Sequence, residues 1–218
     1  MKKFELTSET KINIFGKKLF RIKALISFGN VEAGETGGWV EKEENVNQSG
    51  DAWVFDNAEV FDNARVSDNA RVSGNAWAFG NARVSDNARV SGNARVFGNA
   101  RVSYNARVSG NARVSYNAEV SGNAEVFDNA WVFGNARVFD NADYATIHGF
   151  GTQFRTTTFF RCKDKQVKVS CGCFYGTIPE FREQVKNTRK GKIAEEYLMI
   201  ADLMEKHFAE EAKIEEAS

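Results

Sequence analysis

The sequence is poor in three things. Cysteine is the first: there are three in 218 residues, Cys162, Cys171 and Cys173. They are too few and too closely spaced for a disulfide scaffold, and they point to a reducing compartment. Long apolar runs are the second. None reaches membrane-spanning length, and Met1-Lys2-Lys3-Phe4 leads into polar residues rather than an apolar stretch. The expectation is a cytoplasmic protein with neither a signal peptide nor a membrane partner. Net charge is the third. Lys plus Arg number 29, as do Asp plus Glu, so bulk charge selects no class of partner.

What the sequence has in abundance is repetition. From about Val40 to Ala142 one six-residue phrase recurs: Val, Ser or Phe, then Asp, Gly or Tyr, then Asn, Ala, and Arg, Glu or Trp. A period of six excludes a helical stripe at 3.6. Within each Ala-Arg-Val-Ser piece, aliphatic and polar residues alternate at strand spacing. The Asn between pieces is expected to take the left-handed conformation that a sharp corner needs. Each hexad thus reads as one short strand and one corner, and three hexads as a triangular coil of 18 residues. The inward residues are then Ala58, Val60, Ala64, Val66 and their successors. The outward ones sort onto three faces, stacked at ~4.8 Å per coil.

Two surface features follow from that sorting. The first is aromatic. One face carries Phe61, Phe79 and Phe97 in a row, with Trp77 beside them and Trp131 and Phe133 further along. Such a strip marks a contact surface; the competing reading is that a terminal segment folds back over it, or that the stacked rings simply support the coils. The second is banded charge. Between Arg65 and Arg113 stand Arg65, Arg71, Arg83, Arg89, Arg95, Arg101, Arg107 and Arg113 against Asp68 and Asp86, a net +6, whereas Glu41–Asp62 is −6 and Tyr116–Asp143 is −4. Arg side chains stacked at ~4.8 Å repel by roughly 1 kcal/mol per neighbour in water. A bound anion would relieve this, and Arg with neighbouring Ser suits phosphate. A solvated face copied by repeat duplication would look the same.

The flanks are not repetitive. In residues 1–39, Lys11–Phe15, a Gly16-Lys17 turn and Lys18–Leu25 read as a hairpin, followed by a loop from Ile26 to Gly38, together forming an N-terminal β cap. Residues 40–143 are the repeat. In 144–218, Phe154–Arg161 and Gln166–Ser170 read as a second hairpin. Thr177-Ile178-Pro179-Glu180 reads as a helix start with a capping box, its helix running to about Thr188. Gly191 is expected to break it before a second helix with Ile193, Tyr197, Ile200, Ala201, Met204 and Phe208 as its apolar stripe. The last ten residues are expected to fray. This hairpin and helix pair is expected to cap the far end or to carry a partner surface.

The hexad resembles that of the hexapeptide-repeat, left-handed parallel β-helix family. The handedness is implied by the resemblance alone, since general rules favour right-handed crossovers. The expected fold is therefore an all-β-dominated solenoid of about five to six triangular coils, with an N-terminal β cap and a C-terminal cap of a β-hairpin and two helices. Some members of that family are acyltransferases with a His general base, and others are carbonic-anhydrase-like enzymes with three metal-bound His. Here the repeat from Val40 to Ala142 holds no His and no extruded loop, which argues against both.

Leu19–Leu25, Gly34-Glu35-Thr36-Gly37-Gly38-Trp39-Val40, the hexads, and Cys171-Gly172-Cys173-Phe174-Tyr175-Gly176-Thr177 before a helix pair make the chain similar, over nearly its whole length, to uncharacterised hexapeptide-repeat proteins of phages and prophages. That resemblance implies an accessory role in a bacterial host cell. The sequence holds no Ser-His-acid set and no phosphate-cradling Gly loop. Cys162, Cys171, Cys173 and His148 do not follow the usual Cys-x-x-Cys knuckle and read as thiols and a lone imidazole. No catalytic residue, metal or cofactor is expected. The leading expectation is a non-enzymatic, homo-oligomeric interaction protein, an anti-defence inhibitor or binding scaffold that meets a host or self protein through the aromatic face. The alternatives are sequestration of a nucleotide or nucleic acid by the Arg band and, last, acyl transfer with His148.

Overall fold

In the computed structural model the chain divides into two units, Met1–Asn141 and Ala142–Ser218; residues 2–209 are described. The expected fraying therefore falls almost entirely outside the described residues.

The first unit is a β-solenoid of about six coils. It opens with β1 (Phe4–Ile12), β2 (Lys18–Ala24) and β3 (Thr36–Val40). Two-residue strands then follow every six residues, from β4 (Trp53–Val54), β5 (Glu59–Val60) and β6 (Arg65–Val66) to β18 (Arg137–Val138). Strands three apart pair in parallel with an offset of 18 residues, as in Arg65↔Arg83 and Arg89↔Arg107. Three sheets result. The aromatic face runs through Trp39, Glu59, Trp77, Arg95, Arg113 and Trp131. The second face runs through Arg65, Arg83, Arg101, Glu119 and Arg137, and the third through Trp53, Arg71, Arg89, Arg107 and Glu125.

The interior is built as the hexad dictates. Every Ala and Val of the inward set from Ala58 to Val138, including Ala78 in a Val slot, is fully buried. One small and one branched side chain per face fill the narrow prism, which lets interiors approach crystal-like packing density.

The corners follow a different rule from the expected one. The left-handed residue is not the Asn but the residue before it: Asp56, Asp62, Asp68, Asp86, Tyr104, Tyr116 and Asp128 have φ of 54° to 59°, and the intervening glycines from Gly74 to Gly134 have φ of 63° to 70°. The Asn works through its side chain. Asn63, Asn81 and Asn99 each donate Nδ2 to Oδ1 of the next coil's Asn, ending on Asn117, at 3.0–3.2 Å, and ladders starting at Asn69 and Asn75 run down the other corners. A side chain that both donates and accepts is what a repeating corner requires.

The N-terminal segment does not form a separate 1–39 module. β1 and β2 extend the aromatic-face sheet through β3 in the order β1-β2-β3-β5, and β3 straddles the expected boundary. Part of the expected Ile26–Gly38 loop is therefore strand. Gly37 and Gly38 are needed there for close approach. A Cβ on Gly37 would lie 2.6 Å from Trp53 Cζ2 and 2.7 Å from the Val54 carbonyl oxygen.

In the second unit the expected hairpin is half of a four-stranded antiparallel sheet. β19 (Tyr144–Phe150), β20 (Arg155–Arg161), β21 (Val167–Cys171) and β22 (Phe174–Thr177) lie in chain order. α1 (Ile178–Thr188) starts on the Thr177 capping box, and hydrogen bonds from Thr177 hold the Glu180 carboxyl below its usual pKa. The interruption before α2 (Gly191–His207) is the extended pair Arg189-Lys190, and Gly191 is the helix's first residue. Phe159, Val169, Phe181, Val185, Tyr197, Ile200, Met204 and Phe208 form one core.

Candidate functional site

The aromatic face is occupied at its N-terminal end by the protein itself. The turn of the first hairpin brings Phe15 over the row: its ring centroid lies 5.6 Å from Phe61, 5.8 Å from Trp77 and 5.5 Å from Phe79. Leu19 and Trp39 complete the cover, and Phe61 is 1% exposed. Polar anchors hold the hairpin down. Lys11 and Asn13 reach the Glu59 carboxylate, and Lys17 pairs with Glu41 and Asp62, which raise its pKa by hydrogen bonding.

The expected interface role of Phe61 is therefore corrected. Phe61 is core, because a folded-back segment covers it. Trp77 and Phe79 are half-buried under the same turn. Phe79 stacks on Phe61 and on Phe97 at 5.0 Å with nearly parallel rings, and Arg95 sits over Trp77 at 4.3 Å. The row is also not continuous. Buried Ser115 interrupts it and accepts a 3.0 Å hydrogen bond from the Trp131 indole. Trp131, Phe133 and Tyr116 then form a separate cluster.

The Arg residues divide by face. Arg95 belongs to the covered aromatic face, and Arg113, also on that face, is exposed. The other six form two register-locked ladders, Arg65↔Arg83↔Arg101 and Arg71↔Arg89↔Arg107. All are exposed except Arg71, which is half-buried. Arg107 pairs with Glu125 at 3.0 Å; among the described residues no ion-pair partner approaches Arg65, Arg71, Arg83, Arg89 or Arg101. The Ser residues beside them do not act uniformly as donors outward. Ser67 and Ser85 donate to the corner carboxylates of Asp68 and Asp86.

The corner between the two ladders carries Asp68, Asp86 and then Tyr104 in successive coils. Tyr104 is 62% exposed at φ +57°, and its backbone N–H donates to Asp86. In the sequence Tyr104 is one of the Tyr residues at the Asp or Gly position of the hexad, and a corner assigned to Asn gives no sign of its positive φ.

At the N-terminal end of the second face lies a groove of about 700 Å³ lined by Glu43, Glu44, Asn47, Arg65 and Arg83 among others. Nothing in the hexad pattern signals it, because it arises where the pattern is broken.

The second unit's candidate chemistry is sparse. His148 is exposed, with Nδ1 3.2 Å from Thr156 Oγ1, and His207 packs edge-on against Phe208. Burial pushes the Cys162 thiol up to about 11, far from a reactive thiolate. The Thr157 hydroxyl donates to Cys171 Sγ. No three His, Cys, Asp or Glu side chains among the described residues gather as a metal set. No described helix is long and apolar enough to cross a membrane.

These features define a β-solenoid repeat protein whose outward chemistry is concentrated on two of three faces. The comparison with family models agrees on the repeat: the YdcK beta-solenoid repeat model matches residues 64–78, 82–96 and 88–104. No curated protein matches the chain.

Proposed function

We propose that this protein is a non-enzymatic binding protein that holds single-stranded nucleic acid along its two Arg ladders. The observation that carries this reading is the pair of ladders on adjacent faces, with five of the six guanidiniums lacking an ion-pair partner among the described residues. Each ladder sets like charges ~4.8 Å apart, and a phosphate backbone would turn that repulsion into attraction.

Tyr104 supports the same reading. A left-handed backbone costs an L-residue with a bulky side chain roughly 1–2 kcal/mol, and most other corners avoid that by using Asp or Gly. An exposed ring held at this cost between Arg101 and Arg107 is suited to stacking on an unpaired base. The resemblance to phage hexapeptide-repeat proteins fits an accessory protein that coats or sequesters a strand in the host cell. The rival reading, protein capture through the aromatic face, is weakened because the hairpin already covers the N-terminal part of that face.

Fluorescence anisotropy with a labelled oligonucleotide tests the proposal. Binding should weaken steeply with salt, with log K falling on log[salt] at a slope near −3 for about four phosphate contacts to a single strand. The Arg89→Ala, Arg107→Ala double variant should bind at least ~10-fold more weakly with a slope shallower by about 1.4. Absent binding, or binding indifferent to salt, would sink the reading.

A further inference from the structure

The groove at the start of the second face is a built site, and we infer that it binds a free phosphorylated sugar, a mononucleotide included. It shares Arg65 and Arg83 with the second-face ladder and none of its lining with the third-face ladder, and it exists for a structural reason. The second face lacks a regular first rung. In its place stand a short 3-10 turn, Glu43–Asn45, and a single bridge, Val46↔Val66. The open edge of β6 is sealed from above by other means. The Asn45 amide, fully buried, donates to the carbonyls of Asp62 and Ala64, and the Asn47 N–H donates to that of Val66. The segment that follows is then drawn aside. Gln48 is locked onto β1, accepting from the Lys3 and Phe4 N–H groups and donating to the Phe4 carbonyl. A step is left between this fixed segment and the outer surface of β6, and the groove is that step.

The groups on its walls are complementary to a particular chemistry. Arg65 and Arg83 are paired in backbone register, both line the groove, and neither has an ion-pair partner among the described residues. Two neighbouring guanidiniums suit one phosphate. Glu43 is neutralised by Lys2 at 2.6 Å. Glu44 is exposed and has no ion-pair partner among the described residues, and a smaller recess beside it is lined by Lys42, Asn63 and Arg65. A carboxylate that can only accept, set across from two guanidiniums, repels a bare polyanion and favours a ligand that carries hydroxyl donors next to its phosphate. The Asn47 Oδ1 is already taken by Ser49, which leaves its amide N–H₂ to donate outward. No aromatic ring lines the groove, so nothing there would stack on a base. The phosphosugar is the part recognised.

Calorimetric titration of the full chain with ribose 5-phosphate at low salt, and separately with inorganic phosphate, tests this. Ribose 5-phosphate should bind at least tenfold more tightly than inorganic phosphate. Glu44→Ala should lower affinity for the sugar phosphate about 10-fold or more, as expected for a hydrogen bond to a charged group, while leaving phosphate affinity equal or improved. Arg65→Ala should weaken both, and circular dichroism of that exposed-site variant checks that the coil is retained. Arg89→Ala with Arg107→Ala, which lie on the third face, should reduce oligonucleotide binding and leave ribose 5-phosphate binding intact, so this site and the ladder reading fail separately. Equal affinity for the two probes, no effect of Glu44→Ala, or no binding of ribose 5-phosphate would each overturn the assignment.

Discussion

The N-terminal end of the solenoid and its middle use the same repeat positions for opposite ends. On the third face, Trp53 is 0% exposed, whereas Arg89 and Arg107, two and three coils further along the same column, are exposed. On the aromatic face, Glu59 and Phe61 are buried while Arg113 faces solvent. The hexad decides only that these side chains point away from the prism. Whether outward means core or solvent depends on what lies above, and over the first coils that is the β1–β2 hairpin with Phe4 and Phe15, and Phe28 in the segment after it. An outward column is therefore core in one place and exposed surface in another.

The largest test of this contrast is a matched pair of Trp truncations. Trp53 lies under Phe4 and Phe28 with its ring edge-on to both. Trp53→Ala should cost about 3–5 kcal/mol, read as a drop in the denaturant midpoint. Trp131→Ala, from a half-exposed ring, should cost less than half as much. Equal losses would break the contrast.

A second test uses charge at the buried end. Lys3 is 2% exposed, with Nζ bonded to the carbonyls of Gly50 and Ala52 and over the Phe28 ring. Burial lowers its pKa to about 8, only partly opposed by Asp51. A lysine with a folded pKa below its unfolded value binds fewer protons when folded. Stability should therefore rise as pH climbs from about 8 toward the unfolded value of 10.5, by on the order of 3 kcal/mol at most. Taking the difference from Lys3→Met isolates this effect from the opposing one of Cys162. No difference in slope between the two proteins would show that Lys3 is not desolvated.

The smallest test sharpens the picture of the middle. Tyr104→Gly should stabilise the protein by about 1 kcal/mol, because glycine accepts the left-handed corner freely. The same variant should weaken oligonucleotide binding several-fold. A loss of stability would mean that the ring supports the coil rather than a ligand.

Much of this was legible in the sequence. The 18-residue coil, the three faces with their register, the buried Ala and Val columns, and the Thr177 cap all follow from residue type and spacing. Other features were not. The corner residue was misassigned because both Asn and the Asp before it tolerate a left-handed backbone, and spacing alone cannot choose between neighbours. β19 was missed because Tyr144–Phe150 does not alternate, and β22 because it is four residues long. The aromatic row looked continuous in projection, since a ladder drawn from sequence contains no hairpin to cover Phe61 and no Ser115 hydrogen bond to divide it.

What the sequence determined by itself was the local rule: a hexad whose small and branched residues can only fill a narrow prism repeats the same coil wherever it occurs. What tertiary structure alone decided was which outward columns remain open, which Arg of the ladders has an ion-pair partner among the described residues, and that a groove forms where the first rung fails. These depend on contacts between residues some 50 to 65 positions apart, such as Phe4 with Trp53 and Phe15 with Phe79. No short-range pattern records such contacts, because a periodic sequence gives every copy of a position the same local preference.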